Sequence, residues 1–269
     1  MSVGTVRASS RIEHRGRPWV VVTRQELADL WLGAKGLSVL FGFSLVLAIL
    51  SYLAAGDAGI NLLDARESVG IVVQTCIGLG TLAALVVSAD AISGERERGT
   101  LESLLVTPVP RRDLVIGKLF AASSMWVASL AVSVPFVIAM ADGPGVAADA
   151  LAVLLLVGAL VAMALTGLGI AVSAIAMSNR VSLAAAVALL LLLAAPSQLP
   201  AIKAKGTLGS VLIKANPVSS GLRMADNVLV KQQDWSAQWG FLISPIVAAV
   251  VLTALAVRLS SRVELGDSR

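Results

Sequence analysis

The chain has 269 residues, of which 57% are hydrophobic and 14% charged, with a formal net charge of +4, and its mean hydropathy is +0.87. That balance excludes a soluble globular domain, in which about a quarter of the residues are charged. A single cysteine, Cys76, and a single histidine, His14, exclude an internal disulfide framework, a cysteine-based metal cluster and histidine-dependent chemistry.

Residues 1–17 form a basic arm with Arg7, Arg11, Arg15 and Arg17. The arm lacks the apolar core and small-residue cleavage site of a signal peptide, so a disordered cytoplasmic segment is expected. From Pro18 to Lys35 the pattern turns helical: Val20, Leu27, Leu30, Trp31 and Ala34 recur on one side, and Arg24, Gln25, Asp29 and Lys35 on the other. This predicts an amphipathic helix too polar to span, lying in the membrane interface with Trp19 and Trp31 at headgroup level. The alternative is the charged start of the first span.

A bilayer core about 30 Å thick calls for roughly 20 apolar residues per helix. Runs of that kind occur at Leu37–Ala55, Val69–Ile92, Leu119–Ala141, Ala150–Met177, Ser182–Ala195 with some extension, and Phe241–Leu259. An all-α integral membrane protein with six transmembrane helices is therefore expected, its six-span domain covering residues 18–259 and a cytoplasmic tail covering 260–269. The fourth run is longer than a span needs and holds Gly158, Gly167 and Gly169, which predicts tilt, close helix approach or both. Between the fifth and sixth runs, Pro196 to Gly240 is too polar to span and too apolar for a free linker.

Basic residues near the span ends give the orientation. The arm, Arg96, Arg98, Arg111, Arg112, Lys118, Arg180, Arg258, Arg262 and Arg269 fall on one side, whereas the other side has Arg66 among Asp57, Asp64 and Glu67, then Asp142 and Asp149. The first side reads as cytoplasmic, with both termini inside a cell membrane. Lys203, Lys205, Lys214, Arg223 and Lys231 run against this count but are spread over a long segment.

The most informative stretch is GERERGTLESLLVTPVPRRDLVIGK, Gly94 to Lys118. Span two is expected to continue as a charged helical end through Glu95, Arg96, Glu97 and Arg98, with Gly99 as its stop. Thr100 is placed to cap a short helix with Leu101, Leu104 and Leu105 on its apolar side and Glu102 near its positive end. Pro108 and Pro110 end that helix, and Asp113 reads as the N-cap of span three. Such a helix serves either to pass motion from a soluble partner into the spans or as an interfacial anchor.

This stretch resembles the cytoplasmic signature of ABC transporter type-2 permeases, G-E-R-E-x-G-T-L-E-x-L-L-x-x-P-V-x-R followed by G-K. Gly94 to Glu97, Gly99 to Glu102, Leu104, Leu105, Pro108, Val109, Arg111, Gly117 and Lys118 all match. The resemblance implies that Glu95, Arg96, Glu97, Gly99, Thr100, Leu101, Glu102, Leu104, Leu105 and Pro108 form a coupling helix that docks on an ATPase subunit. It also implies an interfacial helix before span one and short non-spanning helices in an outer loop between spans five and six. Asn216, Pro217 and Arg223, in NPVSSGLRMA, are similar to an element of that outer loop in relatives that include the permease group of nitrous-oxide-reductase maturation.

No G-x-x-x-x-G-K-[ST] phosphate loop occurs in the chain, so it is expected to be non-catalytic. The resemblance implies that ATP and Mg belong to a separate ABC ATPase, that a second permease subunit completes the assembly in the lipid bilayer, and that transport is export; no nucleic acid is expected as partner. Ionisable residues are almost absent from the span centres, which hold Gln74, Thr75, Ser123, Ser124, Ser129, Ser133, Thr166 and Ser173. That argues against a proton-coupled antiporter, an ion channel or an intramembrane enzyme. Asp90, near the end of span two, is expected to pair with Arg96 or another loop base. A membrane scaffold without ATP-driven motion is the rival reading of the same six spans.

Overall fold

The computed structural model describes residues 18–57, 62–100, 109–198, 211 and 213–260. Among them the chain is helical, without a strand. The elements are α1 (Pro18–Leu32), α2 (Lys35–Asp57), α3 (Leu62–Asp90), α4 (Ser93–Arg98), α5 (Arg111–Ala141), α6 (Ala147–Ile175), α7 (Asn179–Gln198), α8 (Pro217–Leu229), α9 (Trp235–Gln238) with a 3-10 turn at Trp239–Phe241, and α10 (Ile243–Ser260). Six stretches are long and apolar enough to cross a membrane: Lys35–Ala54, Ala65–Asp90, Arg111–Ala141, Ala147–Ile175, Asn179–Ser197 and Trp235–Ser260. These are the six runs of the sequence. The arm at 1–17 and the tail from 261 onward lie outside the described residues.

α6 is the centre of the bundle, packed against α3, α5, α7, α8 and α10, and α2 and α7 are its least buried spans. Lipid tails are as apolar as leucine, so burial gives little drive for helices to associate, and small residues that admit a close neighbour take over. The three glycines of α6 do this. A methyl group at Gly158 would overlap the Trp126 indole of α5, and the same ring lies 2.8 Å from where a Cβ would sit on Gly80 of α3. Gly167 lets the α10 backbone in, with Thr253 N at 2.8 Å from such a Cβ, and Gly169 gives room to Ser88 of α3. The predicted close approach is observed at all three.

One end of the bundle gathers the α1–α2 junction, the end of α3 with α4, the start of α5, the α6–α7 junction and the end of α10. There Ile92, Val115, Ile170, Ala174 and Ala256 form a small apolar cluster. Since the charged loop residues lie here, it is called the charged end. The alternation of span directions matches the even number of spans.

Several local expectations are corrected. α1 lies flush on α5, but its inward stripe is Trp19, Val22, Glu26, Leu30 and Trp31: Trp19 stacks on Phe120 at 5.4 Å, Val22 fills the space at Gly117, and Trp31 Nε1 donates to Ser124 Oγ at 3.1 Å. Val20 and Val21 face outward, and Ala34 leaves the helical stripe with φ 61° at the α1–α2 turn. The apolar-only pattern missed Glu26, which turns inward because it has a cationic partner there. α5 begins at Arg111 with Pro110 as N-cap, so Asp113 sits inside the first turn rather than capping it. Its carboxylate still lies where the helix dipole favours it. α7 runs on through Pro196 to Gln198.

Candidate coupling site

Sequence predicts that α3 runs on into the GERER segment, but the helix breaks first. Ala91 N bonds Ser88 O in a tight turn, and the next two backbone N–H groups lose their helical partners. Both donate instead to Ser173 Oγ of α6, from Ile92 N at 3.0 Å and from Ser93 N at 2.9 Å. A buried N–H without an acceptor costs about 1–3 kcal/mol, so one hydroxyl from a distant helix makes this break tenable. Ser182 Oγ of α7 adds a bond to Ala89 O at 2.7 Å, and Ser93 Oγ reaches Asn179 Oδ1 at 3.2 Å. Ser93, Ser173 and Ser182 are fully buried.

α4 then projects from this anchor, and each of its charged side chains grips a different element. Arg96 donates to the carbonyls of Ala176 and, at 3.3 Å, Ala174 at the end of α6. Glu97 Oε2 accepts from Asn179 N, the first residue of α7, at 3.0 Å. Arg98 lies 3.7 Å from Asp90, which also has Lys35 at 3.8 Å. Asp90 thus pairs with a loop base as expected, namely Arg98, and with Lys35 of α2 besides.

Glu95 points the other way. It meets Lys118 of α5, whose Nζ lies 2.6 Å from Glu95 Oε1 and 2.6 Å from Glu26 Oε1 of α1. Lys118 is 5% exposed, so an ammonium is withdrawn from water and held between two carboxylates. Burial pushes the Glu95 carboxyl above its ordinary value, and the Lys118 charge and hydrogen bond pull against that without cancelling it. Glu95 Oε2 is buried without a hydrogen-bond partner, which is part of the same cost.

Gly99 ends α4 in the left-handed region, φ 71°, as the sequence predicts for a helix stop. Gly99 N bonds Arg96 O at 3.2 Å and Thr100 N bonds Glu95 O at 3.1 Å, the paired bonds of a Schellman ending. Thr100 Oγ1 also turns back to Glu95 O at 3.3 Å, so within the described residues Thr100 closes α4. Leu101, Glu102, Leu104, Leu105 and Pro108 lie outside the described residues, and with them the expected short helix.

The remaining named residues sit at the other end. Asn216 is the N-cap of α8: its Oδ1 accepts from Val218 N at 3.0 Å and Ser219 N at 3.2 Å, while Nδ2 donates to Leu193 O of α7 at 2.7 Å. Pro217 takes the first helical position, where its missing N–H has no cost. α8 is buried between α3, α6, α7 and α10. A Cβ at Gly221 would lie 2.7 Å from Val157, and Trp235 Nε1 bonds Asp149 near the start of α6 at 2.9 Å. Val157 is the eleventh residue of α6, so this contact lies about 15 Å along that helix from its start. Arg223 lies on α8, facing Gln74 of α3 across a small recess.

Sequence reasoning missed Ser173 and Asn179 as partners of α4, Lys35 and Ser182 as partners of the end of α3, and Glu26 as the second carboxylate on Lys118. Their signal is weak, since small polar or charged residues near span ends are common and none of these has its partner nearby in sequence.

An all-helical six-span bundle with a short charged helix held among four spans at one end defines a polytopic membrane protein. The family model of the ABC-2 family transporter proteins matches residues 45–264, so the chain belongs to that family and is a membrane-embedded permease subunit of an ABC transporter. No curated protein matches it.

Proposed function

We propose that this permease is the membrane half of an ATP-driven exporter in the cell membrane, with both termini and the charged end in the cytoplasm. A separate ATPase subunit, holding ATP and Mg, docks on the segment from Glu95 to Pro108. A second permease, identical or different, completes the pathway. Thr100 to Pro108 is the docking surface in this reading, with Leu101, Leu104 and Leu105 as its apolar contacts.

One observation carries the reading: α4 is tied at once to α1 and α5 through Glu95 and Lys118, and to the α6–α7 junction through Arg96, Glu97 and Ser173. Six residues of helix span only about 9 Å, too little to absorb a displacement applied at Thr100. A push there is passed to two helix pairs on opposite sides. An interfacial anchor needs no such bridges.

The test replaces Leu101, Leu104 and Leu105 together with serine and co-expresses the variant with the ATPase subunit. Membrane insertion is unchanged, because the spans are untouched, while ATPase co-purification or permease-dependent ATP turnover is lost. Normal turnover in the variant overturns the docking assignment. A chain that purifies alone and leaves ATP turnover unchanged is instead a scaffold.

A further inference from the structure

Beside α8 the bundle holds a cavity of about 460 Å³ between α3, α6, α7 and α8, within the range of roughly 300–1,000 Å³ usual for small-molecule sites. Its walls are mostly apolar, with Ile77, Leu79, Val161, Leu190 and Val218 among them. Two hydroxyl residues of α3, Thr75 and Thr81, also line it, and Thr81 spends its proton on Ile77 O at 2.7 Å. The cavity opens sideways between Ile71 of α3 and Leu191 of α7, which are 52% and 64% exposed. A hydrocarbon chain can enter there from the membrane.

A second, smaller recess of about 60 Å³ adjoins it, and Gln74 and Leu222 line both. Its polar groups are unequal. Ser197 Oγ donates to Ala194 O and Ser219 Oγ to Leu193 O, so both hydroxyl protons are used. Asp226 lies 2.5 Å from Lys231 Nζ. Among the described residues Arg223 forms no ion pair, and the chain from Pro196 to Ala215 contains no acidic residue to neutralise it. The groups with donors to spare are the Arg223 guanidinium and the Gln74 amide, and the carboxylate among the lining residues, Asp226, is already paired with Lys231.

We infer that the two cavities form one site for an anionic amphiphile, its carboxylate or phosphate head on Arg223 and Gln74 and its hydrocarbon tail in the apolar cavity. A guanidinium matches either head through paired N–H donors, and an apolar slot with a few placed polar groups fixes orientation. The inference rests on the transport reading above for its physiological sense, since such an amphiphile is the class of substrate an exporter with this site moves.

The test uses the full chain in phosphatidylcholine nanodiscs without any ATPase, so its outcome is independent of the docking experiment. A palmitate with a mid-chain diazirine is photolysed and the adducts are mapped. Saturable labelling of α3 and α7 around Leu79 and Leu190 is expected, competed by palmitate and by hexadecyl phosphate and at least tenfold less well by methyl palmitate or hexadecyltrimethylammonium. Competition by only one of the two anions identifies the head. Arg223→Gln lowers labelling about tenfold, Arg223→Lys restores part of it, and Leu190→Trp, which fills the cavity and leaves the recess, abolishes it. Equal competition by neutral and cationic chains, or unchanged labelling in Arg223→Gln, overturns the proposal.

Discussion

α4 and α8 are both too short to cross a bilayer, and they sit at opposite ends of the bundle, yet they are held by different means. α8 is anchored by its own cap and an apolar surface: Asn216 supplies the N-cap bonds, and Val218, Leu222, Met224, Val228 and Leu229 are buried. α4 has almost no apolar surface, and it is suspended by charged side chains whose partners lie on α3, α5, α6 and α7. Packing of the first kind is close to all-or-none, because interiors are dense. A set of directed polar bonds can exchange partners without opening a cavity. The difference makes α8 the more rigid attachment and α4 the one whose contacts are more readily exchanged.

Removing Lys118 breaks the comparison hardest. Lys118→Ala leaves the Glu26 and Glu95 carboxylates facing each other half-buried, and loss of one partner from a buried ionic cluster costs on the order of 3 kcal/mol. Thermal unfolding in detergent is expected to fall by several degrees, and Lys118→Met, which restores the packing and not the charge, falls nearly as far. A negligible shift in both would mean that the ionic joint does not hold α1 to α4.

Asn216→Ala comes next, at about 1–2 kcal/mol, since it deletes an N-cap and the bond to Leu193 O together. Asn216→Asp keeps the cap and loses only the donor, so it is expected to fall between the two. If it matches alanine, the link to α7 matters more than the cap.

Arg96→Ala sharpens the contrast on function rather than stability. It removes guanidinium–carbonyl hydrogen bonds worth about 1.5 kcal/mol while cutting the tie to the α6–α7 junction. ATPase co-purification is expected to persist and permease-dependent stimulation of ATP turnover to drop several-fold. Loss of both together would place Arg96 in docking instead.

The smallest effect is in pH. Glu95 has a carboxyl raised above 4.5 in the fold, so its contribution to stability is fully present below 4.5 and is lost as the pH rises through the raised value. Glu95→Gln has no such term. The melting temperature of the parent chain is therefore expected to rise relative to Glu95→Gln as the pH is lowered from 7 toward 5, and a parallel pair of curves would contradict the buried setting of Glu95.

What the sequence made legible follows the range of the interactions. Apolar runs and Gly99 as a stop are signals carried by neighbouring residues, and each appears in the structure where the sequence puts it. The break after Asp90 was illegible because its cause is Ser173, about 80 residues away. Glu26 carries no local signal for its inward position, because helical periodicity scores a carboxylate as outward and only the neighbouring α5 supplies its lysine. Asp113 failed as a cap because Pro110, three residues earlier, already fixes the backbone for helix entry.

The Trp126 ring, shared between Gly80 and Gly158, has a consequence for how such a chain changes over generations. Each glycine is constrained by the indole and not by its own backbone, so a larger residue at either position is tolerated only after Trp126 has become smaller. Once a leucine stands at 126, returning to tryptophan requires both glycines to be present again. The three positions are sterically coupled, so the order in which they are altered decides which variants keep α3, α5 and α6 in contact.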